Sequence, residues 1–127
     1  MRTTLFSAIL FALTFAGQAF AQSVPVMLDS TDDIDPCGFG VVSGLKADGD
    51  GFLAVRKGPG TNYAKFDEIH NGQELWICDD DGDWVGVLYT KKDTDCFSRH
   101  TMGTLQAYNG RCWNGWVHKN WVEFLAG

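Results

Sequence analysis

Short runs of apolar and polar residues, separated by turn residues, make up most of the chain after residue 37. The runs are rich in Val, Ile, Trp, Tyr and Phe, which strands favour, and no window keeps the helical period of 3.6 residues. The predicted strands cover residues 39–45, 52–56, 65–69, 73–79, 84–89, 113–118 and 120–125. This pattern predicts an all-β fold, and the shortness of the strands indicates a small barrel.

Two turn signals stand between these runs. Asn71-Gly72 predicts a two-residue hairpin turn, because both residues tolerate a positive φ. The acidic stretch "DDDGD", residues 79–83, invites comparison with a calcium-binding loop. Such a loop needs glycine at its sixth position and glutamate at its twelfth, where this chain has Thr90. We therefore expect a polar hairpin turn at this place.

The first residues have the composition of an export signal. Arg2 precedes an apolar run over residues 5–15, and Ala19-Phe20-Ala21 has the small-x-small pattern of a processing site. The run is shorter than the ~20 residues that a membrane span requires, and no Cys near the processing site could carry a lipid. We expect a signal peptide over residues 1–21, a mature chain that begins near Gln22, and a periplasmic or secreted protein without membrane insertion.

The mature chain divides into a short segment and one domain. Residues 22–36 carry two prolines and four aspartates without a strand or helix period, which predicts a flexible N-terminal segment. Residues 37–127 are long enough for one small hydrophobic core. Without the leader the chain has nine basic and 16 acidic residues, a formal charge of −7, and no basic patch. Nucleic acid is therefore excluded as an expected partner.

The four cysteines allow two interpretations. An even number of cysteines in an exported chain favours disulfides, here two. Zinc is the alternative, with Cys96, His100 and Cys112 as ligands, but the paired C-x-x-C of structural zinc sites is missing. We expect no metal and no cofactor.

Residues 52–89, "FLAVRKGPGTNYAKFDEIHNGQELWICDDDGDWVGVLY", are followed later by "GWVHKNWVEFL", residues 115–125. Together they resemble the bacterial SH3 (SH3b) domain family. Its members typically read Leu-x-Val-Arg-x-Gly-Pro-x-Thr-x-Tyr, then a Gly-led hairpin, a Gly-x-Trp and a closing Gly-Trp-Val. The resemblance implies an SH3-like barrel over residues 37–127 and a non-catalytic role in binding a peptide or a cell-wall fragment.

The Gly-Pro-Gly turn of this motif has a physical reason of its own. Pro59 presets φ for a turn, and Gly58 and Gly60 relieve steric limits on either side. Arg56 is predicted to fix the loop by bonding backbone carbonyls, and contact with an acidic ligand is its alternative role. We expect this rigid turn to form one wall of a ligand groove.

Residues 90–112 depart from the SH3b pattern, which has only a brief turn here. An insertion of this size is uncommon unless it is functional or pinned. A Cys96–Cys112 disulfide would close it with a stabilisation of roughly 3 kcal/mol in the chain-entropy model. This pairing is favoured because the insertion must return close to where it left the barrel, and it leaves Cys37 to pair with Cys78.

The insertion also supplies the second wall of the expected groove. The predicted ligand-binding residues are Tyr63 beside the turn and, in the insertion, Phe97, Arg99, His100 and Tyr108. Trp84 and Trp116 are expected to serve the core instead. The alternative function is that of an inhibitor or immunity factor, which would insert the loop into an envelope protein.

Catalysis is not expected. Cysteines that pair in an exported protein are not thiolate nucleophiles, and none lies in a catalytic motif. Asp67 and Glu68 are adjacent in a predicted strand, so they face opposite sides and cannot form a carboxylate pair.

Overall fold

The computed structural model describes residue 4, residues 22–46 and residues 51–127, and this part of the chain is all-β. The predicted signal peptide, apart from Thr4, and the turn at residues 47–50 lie outside the described residues. The strands are β1 (Met27–Asp29), β2 (Gly38–Val42), β3 (Leu53–Arg56), β4 (Lys65–Ile69), β5 (Glu74–Asp81), β6 (Trp84–Tyr89), β7 (Leu105–Ala107), β8 (Trp113–His118) and β9 (Val122–Ala126). A 3-10 turn, Lys119–Trp121, joins the last two strands.

All strand pairs are antiparallel and form two sheets. Seven strands form one sheet in the order β4-β3-β8-β6-β5-β2-β9, and β1 pairs with β7 in a separate two-stranded sheet. The strands predicted at residues 65–69, 84–89 and 113–118 have the observed bounds. The other four predicted strands overlap β2, β3, β5 and β9 but differ from them in their bounds.

Strand β6 contributes to two hydrophobic clusters. Its neighbouring residues Val87 and Leu88 are both fully buried, but they belong to different clusters. Successive side chains of a strand point to opposite faces, so the sheet separates the two clusters at β6. The inner cluster consists of Val42, Leu53, Val55, Ile69, Leu75, Val87, Tyr89 and Val117. The outer cluster consists of Val26, Leu28, Leu88, Cys96, Cys112 and Trp116.

The prediction of a flexible segment at residues 22–36 is wrong for its central part. Strand β1 pairs with β7 through the register Met27 with Ala107 to Asp29 with Leu105. Val26, Leu28 and Ser30 are at most 1% exposed. This alternation of buried positions is the pattern of a half-buried strand, and its burial against the outer cluster orders the segment.

The prediction of a hairpin at Asn71-Gly72 is also wrong, although the turn exists. The Gln73 amide donates to the His70 carbonyl over 3.0 Å, and Gly72 has φ +90°. However, β4 pairs with β3, whereas β5 pairs with β2 and β6. The Asn71 side chain instead bonds both the amide and the carbonyl of Leu45, which ties the turn to the end of β2.

The polar turn after residue 80 is a hairpin, as expected. Asp81 pairs with Trp84 across a two-residue loop, and Gly82 has φ +61° at its first position. A glycine there is typical of a type II′ hairpin turn.

Both expected disulfides are present. Cys37 bonds Cys78 beside the β2–β5 pair, and Cys96 bonds Cys112 across the insertion. The insertion is not irregular throughout, because it contains β7 and packs its disulfide into the outer cluster. The insertion therefore forms, together with β1, a second layer over one face of the sheet.

Candidate functional site

The Gly-Pro-Gly turn is held from within the chain. The Arg56 guanidinium donates through Nη1 to the carbonyl of Tyr63 over 3.0 Å and to that of Thr61 over 3.4 Å. The Gly60 amide donates to the Gly58 carbonyl over 2.9 Å. The two bonds from Arg56 are the ones that a loop-fixing arginine is expected to make.

Tyr63 lies on this turn. A Cβ atom on Gly58 would stand 2.3 Å from the Tyr63 ring, so glycine is required here by the close approach of the ring. The ring is half-buried and lines none of the cavities described below. Tyr63 therefore covers the turn, and its ring is not presented to a neighbouring groove.

The space between the turn and the insertion, predicted to hold a ligand, is filled by the chain itself. Residues 23–30, which include strand β1, run through it. The Val24 amide donates to the Lys57 carbonyl over 2.8 Å on one side, and the Tyr108 amide donates to the Val26 carbonyl over 2.9 Å on the other. The Trp116 indole donates to the Val24 carbonyl from below. We call this space the trough.

Tyr108 and Arg99 hold the insertion together. The Tyr108 hydroxyl donates to the Cys96 carbonyl and accepts from the Cys112 amide, both over 2.9 Å. Burial raises the pKa of Tyr108 above its ordinary value. Arg99 donates through Nη1 to the Asn109 carbonyl over 3.2 Å. The Tyr108 hydroxyl is thus used within the insertion, and Arg99 makes one bond there from an exposed side chain.

His100 joins the insertion to the N-terminal segment. Its Nε2 lies 3.0 Å from the Ser30 hydroxyl, which also bonds the Thr104 carbonyl, and its Nδ1 contacts the Gln106 side-chain amide. If Gln106 donates to Nδ1, then Nε2 carries the proton and donates to Ser30, and Ser30 donates onward to Thr104. This arrangement satisfies every group in the chain of bonds, so both ring nitrogens of His100 are occupied.

An exposed aromatic row lies elsewhere, on the side of the sheet formed by β2 and β5. The Trp76 ring contacts Phe39 edge-on at 5.4 Å and Phe97 at 5.3 Å between ring centroids. Trp76 remains 36% exposed. We call these three residues the aromatic ridge. Of the predicted ligand-binding residues, only Phe97 belongs to it.

A cavity opens on each side of Trp76. The smaller, of about 240 Å³, is mainly apolar and is lined by Asp35, Pro36, Cys37, Trp76, Phe97, His100 and Met102. The larger, of about 780 Å³, is an open groove between the turn at residues 70–73 and residues 89–94, which include the end of β6 and the start of the insertion. Trp76 borders both, and Phe39 borders the groove. We refer to them as the apolar pocket and the open groove.

The charges around these cavities are mainly negative. Glu74 and Asp93 line the open groove and Asp35 lines the apolar pocket, and none of the three forms an ion pair within the described part of the chain. Glu68 in the groove is paired with Lys65, at 2.7 Å. The cation of the groove, Lys91, lies 3.3 Å from Asp67. The surface beside Trp76 therefore favours a positively charged group on a ligand.

Tyr89 gives the open groove a rigid floor. Its ring is buried and its hydroxyl donates to Asp67 over 2.7 Å. Burial and the Asp67 carboxylate both raise the pKa of Tyr89. Burial alone would raise the pKa of Asp67, but the hydrogen bonds from Tyr89, the Glu68 amide and Lys91 outweigh it, so that this pKa is lowered.

The sequence interpretation missed Trp76 as a surface residue. Its strand neighbour Leu75 is buried, so strand alternation alone places Trp76 on the opposite face. Trp116 is only 2% exposed, as expected for a core residue. Trp84 is half-buried at the margin of the outer cluster, where it contacts the His118 ring.

The structure gives no support to a zinc site at Cys96, because this sulfur is bonded to Cys112. Within residues 22–46 and 51–127, no three His, Cys, Asp or Glu side chains are grouped so that they could hold a metal. The described residues also include no helix of the length and apolarity that crossing a membrane requires.

Comparisons with known proteins gave no match to a protein-family model, to a curated protein or to a solved structure.

Proposed function

We propose that the protein is an exported, non-catalytic binding module of the SH3b type. It recognises a peptide that carries an apolar side chain beside a positively charged group. The leader-like N-terminus and the four paired cysteines support the assignment to the periplasm or medium. The SH3b-like series of motifs over residues 52–125 supports the assignment to a binding domain.

The observation that carries the proposal is the position of Trp76. A large aromatic side chain that is exposed yet braced by two other rings loses little entropy on binding, and such residues dominate many interfaces. The apolar pocket on one side has the size and lining for a single apolar side chain. This site replaces the trough, which residues 23–30 occupy.

The charge distribution selects the ligand chemistry. Glu74, Asp93 and Asp35 surround the aromatic ridge and have no cationic partner among the described residues. An amino or guanidinium group next to the apolar side chain would meet these carboxylates. Both cell-wall stem peptides with a free amino group and basic segments of envelope proteins have this chemistry.

Catalysis is not part of the proposal. The Ser30 hydroxyl lies 3.0 Å from Nε2 of His100, which is the distance expected between a nucleophile and its general base. Ser30 is fully buried and also bonds the Thr104 carbonyl, which supports a structural role for the pair.

The test uses the immobilised mature protein with two probes, a muropeptide fraction and a tryptic digest of envelope proteins. We expect retained peptides to be enriched in an apolar residue next to a cationic one. The variant Trp76→Ala should bind them ~30-fold more weakly, as expected for loss of an interface anchor worth about 2 kcal/mol.

Trp113→Ala is the matched control, since Trp113 is 55% exposed and borders neither cavity. Retention of muropeptides identifies a wall ligand, and retention of tryptic peptides identifies a protein ligand. Equal retention by Trp76→Ala and the parent protein would contradict the proposed site.

A further inference from the structure

The N-terminal segment is bound as a peptide ligand would be. Within residues 23–30, β1 is an extended strand, and the alternate side chains Val26, Leu28 and Ser30 are buried. The three residues of β1 add a strand to β7. Main-chain pairing with pockets for alternate side chains is the mode by which β-strand addition recognises peptides.

Several bonds that hold the segment come from side chains and backbone of distant elements. The Trp116 indole donates to the Val24 carbonyl over 2.9 Å, and the Asp79 carboxylate accepts from the Met27 amide over 2.9 Å. Val26 also packs on Gly86, where an added Cβ would stand 3.0 Å from a Val26 methyl carbon. The contacts therefore specify both the backbone path and the side-chain pattern of the bound segment.

The walls of the trough have supports that do not involve the segment. Arg56 fixes the Gly-Pro-Gly turn, and the Cys96–Cys112 disulfide and the Tyr108 hydroxyl fix the insertion. Trp116 belongs to β8, which pairs with β6 along six residues. The trough can therefore keep its shape when the segment leaves.

Residues 31–36 join the segment to the main domain and form an exposed hinge. Residues 31–35 are exposed, and Cys37, which follows the hinge, is anchored by its disulfide to Cys78. Asp33 has φ +62°, and it is the one non-glycine residue with a positive φ in the described ranges. Asp adopts this conformation more readily than most non-glycine residues, but it is a minority conformation even for Asp, and an extended hinge would release it. Six extended residues reach ~20 Å, enough to carry the segment out of the trough.

We propose that the trough is a peptide-binding site, which the chain fills with its own residues 23–30 and which accepts the same segment of a second copy. The ligand class is an extended peptide with apolar residues at alternate positions, Val-x-Val-x-Leu. A second copy is the fitting occupant because its segment makes every contact described above. Exchange of one element between identical chains is a low-cost route to dimers, and strained hinges favour it.

The test cuts the hinge in the folded protein. A recognition sequence for a specific protease is inserted between Asp32 and Asp33, and the cleaved protein is mixed with a fluorescent synthetic peptide of residues 22–32. Urea at a concentration below the unfolding midpoint is added to speed release of the cleaved segment from the trough. Slow release of that segment is then not mistaken for a lack of exchange. We expect one labelled peptide to be taken up per protein.

The matched control is the same peptide with Val26→Asp and Leu28→Asp. It should bind at least ~100-fold more weakly, because burial of each apolar side chain contributes a factor of ~10 or more. Near-UV circular dichroism follows the fold. Native-like protein that takes up no peptide, equal uptake of both peptides, or loss of the fold on cleavage would each overturn the proposal.

Discussion

Tyr89→Phe tests the polar contact beneath the open groove. The substitution removes one hydroxyl, which donates to Asp67 over 2.7 Å, and leaves the buried ring in place. A hydrogen bond to a charged group contributes ~1.5–3 kcal/mol. Asp67 keeps its bonds to Lys91 and the Glu68 amide, and its side chain is 19% exposed, so water partly replaces the hydroxyl. We therefore expect a loss of about 1.5–2 kcal/mol in the free energy of unfolding at pH 7.

The same contact predicts how this loss depends on pH. The pKa of Asp67 is lowered in the folded protein relative to its ordinary value of 3.8. A lowered carboxyl pKa contributes stability that is fully present above the unfolded value and disappears as the pH falls through the folded value. The stability difference between the parent and Tyr89→Phe should therefore be constant from pH 7 to about pH 5 and should shrink below about pH 4.

The assay is urea unfolding of the oxidised mature protein, followed by tryptophan fluorescence at several pH values. Tyr63→Phe is the matched control, because the hydrogen bonds of Tyr63 to the described part of the chain are made by its backbone carbonyl and amide. We expect the control to differ from the parent by less than ~0.5 kcal/mol. A Tyr89→Phe effect as small as that of the control, or one that is unchanged at pH 3, would refute the reasoning.

Two further substitutions test the structural roles of predicted site residues. Gly58→Ala should lower the free energy of unfolding by ~1–3 kcal/mol, measured by urea unfolding, because the new Cβ would stand 2.3 Å from the Tyr63 ring. An unchanged unfolding midpoint would mean that the ring moves aside freely. Tyr108→Phe should lower the free energy of unfolding by about 2 kcal/mol, since it removes the hydrogen bonds of the hydroxyl to the Cys96 carbonyl and the Cys112 amide. The same variant should retain the peptides bound at Trp76 as well as the parent does, and a selective loss of retention would instead place Tyr108 in the binding site.

The large sheet could be predicted from the sequence because its signals are local. The run "WVGVLY" is apolar and rich in β-branched and aromatic residues, and it is strand β6 with its observed bounds. Gly82 marks a real hairpin turn between β5 and β6. The disulfide pairing followed from the requirement that the insertion returns near its start, and the Cys96–Cys112 bond has this geometry.

The second layer could not be predicted because its pairing is distant in the chain. Met27 pairs with Ala107, eighty residues later. The alternation of Val24, Val26 and Leu28 is a strand signal that Pro25 interrupts, and the three residues of β7 are too few for alternation to signal a strand. Pro25 and the aspartates around the segment indicated a loop, but burial of Val26 and Leu28 against the insertion outweighs their local preference.

The error at Asn71-Gly72 and the unforeseen bonds of the aromatic residues in the insertion have the same origin. A turn sequence fixes the reversal of the chain but not the strands that flank it, so β4 and β5 could separate to pair with other strands. Likewise, the aromatic residues of the insertion were recognised, but their bonds within the insertion depend on which backbone groups the fold brings near them.

Strand β6 has apolar side chains on both faces, with Val87 in the inner cluster and Leu88 in the outer one. A strand of this kind is prone to aggregate when one face is uncovered. In this protein the cover on the outer face consists of the N-terminal segment and the disulfide-closed insertion. Removing the insertion and the N-terminal segment would expose Leu88 and Trp116 together, so we expect the trimmed chain to aggregate. Attempts to make a minimal version of this domain should keep both the insertion and residues 23–30.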